Sequence, residues 1–235
     1  MDAIRKDPNQ DRYALEATRR SLHGVAESLL GGHQWRTTGT IRLLVSPAGF
    51  RTGPLDAEGA YLAVEGTDLV VSDGPDGAAQ RRIPLQGRLC ELAEQAGVSF
   101  GPPESYTSTA GSSSSDRVRV DAHAALLITR AFELGDQALR TFASKHPGGD
   151  AAVPVLWPEH FDLGIALDEV NYGVSAGDDA IPEPYAYVGP WRQRRGPFWD
   201  QPFGATCRVQ DLAVAADLVT FFERGRTQAS TDPAA

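Results

Sequence analysis

The chain has 235 residues, 41% hydrophobic and 23% charged, which is ordinary globular usage and enough apolar material for a core. Its 22 Lys and Arg against 31 Asp and Glu leave a net charge of −9, and so acidic a chain repels a phosphate backbone, so no nucleic-acid partner is expected. Two distant cysteines, Cys90 and Cys207, exclude a disulfide framework and a zinc ribbon, and the lack of a bilayer-length apolar run or a signal-peptide core points to the cytoplasm with no membrane partner.

Residues 1–11 are polar and read as a disordered N-terminus. Over 12–30, Leu15, Leu22, Val25, Leu29 and Leu30 recur at helical spacing, and Gly31-Gly32 is the expected stop. The period then changes to two. Ile41, Leu43 and Val45 alternate as in a half-buried strand within 35–45. Tyr61–Val64, Asp68–Val71 and Gln80–Leu85 follow with short turns at Gly66-Thr67 and Ser72–Gly77. Connections this short require an antiparallel meander. A short helix carries Leu89, Leu92, Ala93 and Ala96 and closes at Gly97.

Residues 101–117 hold Pro102-Pro103 and the run Gly111–Ser115, the composition of a flexible loop or a domain linker. Asp121 is a good N-cap for the longest helix, 122–145, which His146–Gly149 should end. Strands are expected at 153–157 and 160–167. Residues 168–205, rich in Gly, Pro and aromatics, read as irregular. A last helix over 210–223 stops at Gly225, and 226–235 reads as a disordered tail. The expected fold is α+β: antiparallel sheet, a meander in the N-terminal half, against three main helices. It spans 12–225 as one domain.

Several stretches in this order resemble a bacterial family defined only as a domain of unknown function. They are Leu22-His23, Thr38–Leu43 (TGTIRL), Ser72-Asp73-Gly74, Phe161–Gly164 (FDLG) and Pro182–Tyr187 (PEPYAY). The agreement runs from about residue 20 to 225, and this chain is shorter between Leu167 and Pro182. The resemblance implies one α+β unit in an intracellular protein, and no activity.

Chemistry is expected between residues 157 and 199. On a strand over 160–167, Phe161, Leu163, Ile165 and Leu167 share one face, and His160, Asp162, Gly164 and Ala166 the other. Small residues let a ligand approach, so the second face would floor a pocket with His160 and Asp162 at its rim. In Pro182–Tyr187 an extended chain aims Glu183, Tyr185 and Tyr187 the same way, a carboxylate between phenols that suits a polyol, sugar or cation. If the two segments meet, His160, Asp162 and Glu183 form an N,O,O set, able to hold a divalent metal or to act as acid and base.

Trp191–Arg195 puts three arginines beside a Trp, a pattern that binds phosphate or carboxylate. Trp157, Tyr172, Tyr185, Tyr187, Trp191 and Trp199 cluster in this region beside Asn171, Glu183, Arg192 and Asp200, which suggests a walled cavity or an interaction surface. No nucleophile elbow, Walker A or dinucleotide fingerprint is present, so no cofactor and no metal are expected. The leading expectation is a small-molecule-binding domain using Trp157, Glu183, Tyr185, Tyr187, Trp191 and Arg192. The alternatives are a hydrolase-like enzyme built on His160 with Asp162 or Glu183, and an interaction module, with a homo-oligomer formed through the aromatic loops.

Overall fold

The helical spacing around Leu15, Leu22 and Val25 does form a helix, but one that continues past its expected stop. The structure is a computed structural model that describes residues 8–75, 79–146, 148, 152–212 and 214–235. Residues 1–7 of the expected disordered terminus, and Pro147 and Gly149 of the expected helix stop, lie outside the described residues. So do Asp76 and Gly77 of the expected turn. The fold is α+β, with antiparallel sheets and helices. The chain divides into two compact units: Met1–Thr129 with Pro158–His160, and Arg130–Trp157 with Phe161–Ala235.

In the first unit α1 (Pro8–Val25) runs into a π-helical segment (Ala26–Gly31) and then α2 (Gly32–Thr38). Gly31-Gly32 therefore does not end the helix. A Cβ at Gly32 would collide with the Gly101 carbonyl, so this glycine serves close approach of another segment rather than termination. The strand expected from residue 35 begins only at Leu44. The fully buried Gln34 side chain donates to the Thr40 and Arg42 carbonyls at 3.1 and 3.0 Å, which withdraws that stretch from strand pairing. A five-stranded antiparallel meander follows: β1 (Leu44–Ser46), β2 (Gly49–Arg51), β3 (Tyr61–Glu65), β4 (Asp68–Ser72) and β5 (Gln80–Pro84), in spatial order.

Next come β6 (Gln86–Arg88), α3 (Leu89–Ala96) and β7 (Arg117–Arg119), with β6 paired to β7. Between α3 and β7 the Ser-rich stretch has no helix or strand, yet it is tethered. The fully buried Glu27 carboxylate accepts from Ser108 Oγ at 2.6 Å and from the Thr109 amide at 3.2 Å. His23, one turn earlier on the helix, is held below its ordinary pKa by burial, against the pull of Glu27.

The long helix α4 (Ala122–Ala143) starts as expected, with Asp121 Oδ1 accepting from the His123 and Ala124 amides. The second unit's sheet is β8 (Val155–Trp157), β9 (Asp162–Leu167), β10 (Val170–Ser175), β11 (Tyr185–Pro190) and β12 (Ala205–Arg208), an antiparallel meander in spatial order. The stretch expected to be irregular thus supplies β10, β11 and most of the hairpins. Val170, Tyr172 and Val174 alternate on one face; the glycines and prolines lie mainly in the turns and on the other face. A 3-10 turn (Val209–Asp211) leads to α5 (Ala215–Thr231), which starts later and ends later than the helix expected over 210–223. Its buried stripe of Leu218, Phe222, Gly225 and Ala229 continues through the glycine, so Gly225 sits inside the helix and the expected tail is largely helical.

One sheet face carries Leu163, Ile165, Tyr172, Val174, Ala186 and Val188, as the strand register requires. Phe142 of α4, Tyr172 of β10 and Phe222 of α5 meet ring against ring on that face, at centroid distances of 4.6 to 5.9 Å. Among the described residues no helix is long and apolar enough to cross a membrane.

Candidate functional site

His160 and Asp162 do not share a strand face. β9 begins at Asp162, and His160 lies in the preceding turn with its side chain 65% exposed, 3.7 Å from Glu159. The alternation breaks at Phe161, whose φ of 50° and amide bond to the Trp157 carbonyl close a tight turn. No glycine marks that turn in the sequence. His160 belongs to the first unit, Asp162 and Glu183 to the second. Among the described residues no three His, Cys, Asp or Glu side chains are grouped so as to hold a metal ion, so the N,O,O set is not assembled.

The bare face of β9 is real, but the protein fills it itself. Gly164 of β9, Gly173 of β10 and Tyr187 of β11 lie in one row across the sheet. A Cβ at Gly173 would collide with the Tyr187 ring, and one at Gly164 would stand 3.0 Å from its oxygen. The phenol therefore lies over the two glycines and donates a hydrogen bond to Asp162 Oδ2. Burial, and then the adjacent carboxylate, raise the Tyr187 pKa well above its ordinary value, so it stays protonated and keeps that bond. Two expected site residues, Asp162 and Tyr187, are thus brought together, as a closed pair.

Tyr185 meets Tyr187 edge to face, with ring centroids 6.5 Å apart, and the other expected residues lie elsewhere. Tyr185 is buried and donates to Asp178 Oδ2 at 2.6 Å; Asp178 Oδ1 in turn accepts from the Ala180 and Ile181 amides and staples the β10–β11 loop. Glu183 is half-buried in the bend before β11, and Trp157 is half-buried at the end of β8. Trp191 is 64% exposed, with its indole N–H donating to Asn171 Oδ1 at 3.1 Å. Arg192, beside it, reaches a cavity.

That cavity holds about 200 Å³ and is lined by Asp168, Glu169, Tyr172, Arg192, Arg194 and Arg226, among others. It lies at the β9–β10 hairpin. Leu167 pairs with Val170, so Asp168 and Glu169 form a two-residue turn, with φ of 54° and 60°. Two positive φ values mark a type I′ turn, which favours Asn-Gly; a Glu at its second position is strained. Arg226 of α5 grips Asp168 Oδ2 through Nε at 3.0 Å and Nη2 at 2.7 Å.

Two of the residues that line this cavity each carry a buried polar atom that is unmatched among the described residues. Tyr172 is fully buried, and its hydroxyl finds no hydrogen-bond partner among the described residues; burial raises its pKa far above the usual value, so it remains a phenol. Arg194 donates through Nη1 to the Asp232 carbonyl, while its buried Nε has no partner among the described residues. The arginine run was visible in the sequence. Tyr172 was visible only as one of the clustered aromatics, and Asp168 and Arg226 were not visible, because only the fold brings a strand, a turn and a C-terminal helix to one place. Comparison of the chain with known protein families, with characterised proteins and with solved structures finds no match.

Proposed function

We propose that this chain is a small-molecule-binding protein whose second unit takes an anion in the cavity beside the Asp168-Glu169 turn. The observation that carries this reading is the cationic lining of that cavity, Arg192, Arg194 and Arg226 against Asp168 and Glu169. A guanidinium only donates, in a fork that fits the oxygens of a carboxylate or phosphate. The matching ligand group is a carboxylate or phosphate oxygen.

Charge supports the same reading. Asp168 is engaged by Arg226, which leaves Glu169 against Arg192 and Arg194, an excess of one positive charge. A water occupies about 30 Å³ of liquid, so a cavity of about 200 Å³ admits a group of several heavy atoms.

Thermal unfolding tests the proposal, with sodium phosphate and sodium acetate titrated against sodium chloride at matched ionic strength. A saturating rise in Tm with phosphate or acetate, diminished in Arg192→Ala, is the expected result; at a hundredfold excess over Kd it corresponds to about 2.7 kcal/mol. A rise no larger than that with chloride, or one unchanged in Arg192→Ala, overturns it.

A further inference from the structure

A second concavity, of about 170 Å³, adjoins the first, and Pro190 and Arg194 line both. Its other walls differ in character. Trp199, Pro202 and Phe203 supply flat apolar surface, and Phe203 is 46% exposed. Two of the polar side chains around it are already used. The Trp199 indole donates to Asp232 Oδ2 at 2.9 Å, and Gln193 Nε2 donates to the Pro202 carbonyl at 2.8 Å. What this concavity offers beyond Arg194 and Gln201 is apolar area.

Its aromatic wall is fixed before any ligand arrives. Gln201 and Gly204 exchange two backbone hydrogen bonds, of 2.9 and 3.1 Å, and so present Pro202 and Phe203 at the tip of a tight turn. The turn presses on β11: a Cβ at Gly204 would collide with the Val188 carbonyl. A wall held this way loses little conformational freedom on binding.

We infer that the two concavities are one bipartite site, and that its ligand is an aromatic anion. Its carboxylate or phosphate faces Tyr172, Arg192 and Arg194, and its ring lies on Pro190, Trp199 and Phe203. The inference rests on the anion reading above and extends it by naming the ligand class. Size agrees. Each concavity alone is smaller than the roughly 300–1,000 Å³ of ordinary small-molecule pockets, and the two together enter that range. Arg194 is the hinge of the arrangement, since it lines both concavities.

Calorimetric titration with matched pairs tests it: acetate against benzoate, and methyl phosphate against phenyl phosphate, each pair alike in charged group. In at least one pair the aromatic member should bind about tenfold more tightly, since only it buries a ring. Which pair shows the gain separates carboxylate from phosphate ligands. Phe203→Ala should collapse the ratio within that pair toward one. Equal affinities within both pairs, or a ratio that survives Phe203→Ala, overturns the bipartite site while leaving the anion reading standing. Failure of all four compounds to bind overturns both.

Discussion

Gln34 in the first unit and Tyr172 in the second are both fully buried side chains with polar tips, and they end in opposite states. Gln34 donates to two carbonyls and accepts from the Gly53 amide at 2.6 Å, so one side chain closes three backbone groups. Tyr172 contributes its ring to the cluster with Phe142 and Phe222 and leaves its hydroxyl unmatched beside a cavity. The first is a structural polar centre, complete in itself. The second is complete only on its apolar side. A buried polar group points to a ligand when its bonds are missing, and burial alone does not distinguish the two.

The largest expected effect is at the closed centre. Gln34→Leu keeps the bulk but strands the Gly53 amide and the Thr40 and Arg42 carbonyls. Chemical denaturation should record a loss of about 3 kcal/mol. A loss below about 1 kcal/mol would break the comparison, because water would then be satisfying those groups just as well.

Next is the row of Gly164, Gly173 and Tyr187. Gly173→Ala drives a methyl into the Tyr187 ring and should cost about 2 kcal/mol. In a Tyr187→Ala background the same change should cost less, by the part due to the ring, while the Leu163 carbonyl, 2.5 Å from the Cβ position, keeps its share; a double-mutant cycle measures that coupling directly. Fully additive effects would mean that the ring does not lie where the structure has it.

Tyr172→Phe sharpens the comparison by its sign. Removing an unmatched buried hydroxyl should leave the ligand-free protein equally stable, or more stable by up to about 1 kcal/mol. The same change should reduce the Tm rise on adding phosphate or acetate. A destabilisation above 1 kcal/mol would show that the hydroxyl has a structural partner after all, like Gln34.

The smallest effect is at the turn. Glu169→Gly relieves a positive φ and should stabilise the protein by about 1 kcal/mol or less, read as a small rise in Tm. The strained residue lines the cavity, so this gain separates what the turn costs from what the cavity does.

Much of the framework was legible. The period-two runs at Tyr61, Asp68 and Gln80 are strands, and Asp121 caps α4, because local alternation and capping chemistry decide those features. The assignment of Leu163 and Ile165 to the core side of β9 was legible for the same reason. β10 and β11 were hidden by glycines and prolines that looked like punctuation, although Gly173 is there to admit an aromatic ring. α5 was cut short by reading Gly225 as a terminator when it lies within the buried stripe. At the site, Arg192 and Arg194 stood out as a local cluster. Tyr172, Asp168 and Arg226 lie up to 58 residues apart along the chain, and nothing local says that they meet. The His160–Asp162 pairing failed at Phe161, whose left-handed backbone has no signature in a phenylalanine.

The phenol of Tyr187 lying across two glycines has a consequence for how this sheet can change over generations. The three positions form one hereditary unit. A larger residue at Gly164 fits more readily once Tyr187 has shrunk, whereas at Gly173 the Leu163 carbonyl, 2.5 Å from the Cβ position, still stands in the way. Loss of the tyrosine therefore frees only part of the row. The intermediate, with two glycines and no ring, would carry an open trough on the sheet, ending at the carboxylate of Asp162. A new binding surface thus lies one substitution away from a protein that now keeps that face closed.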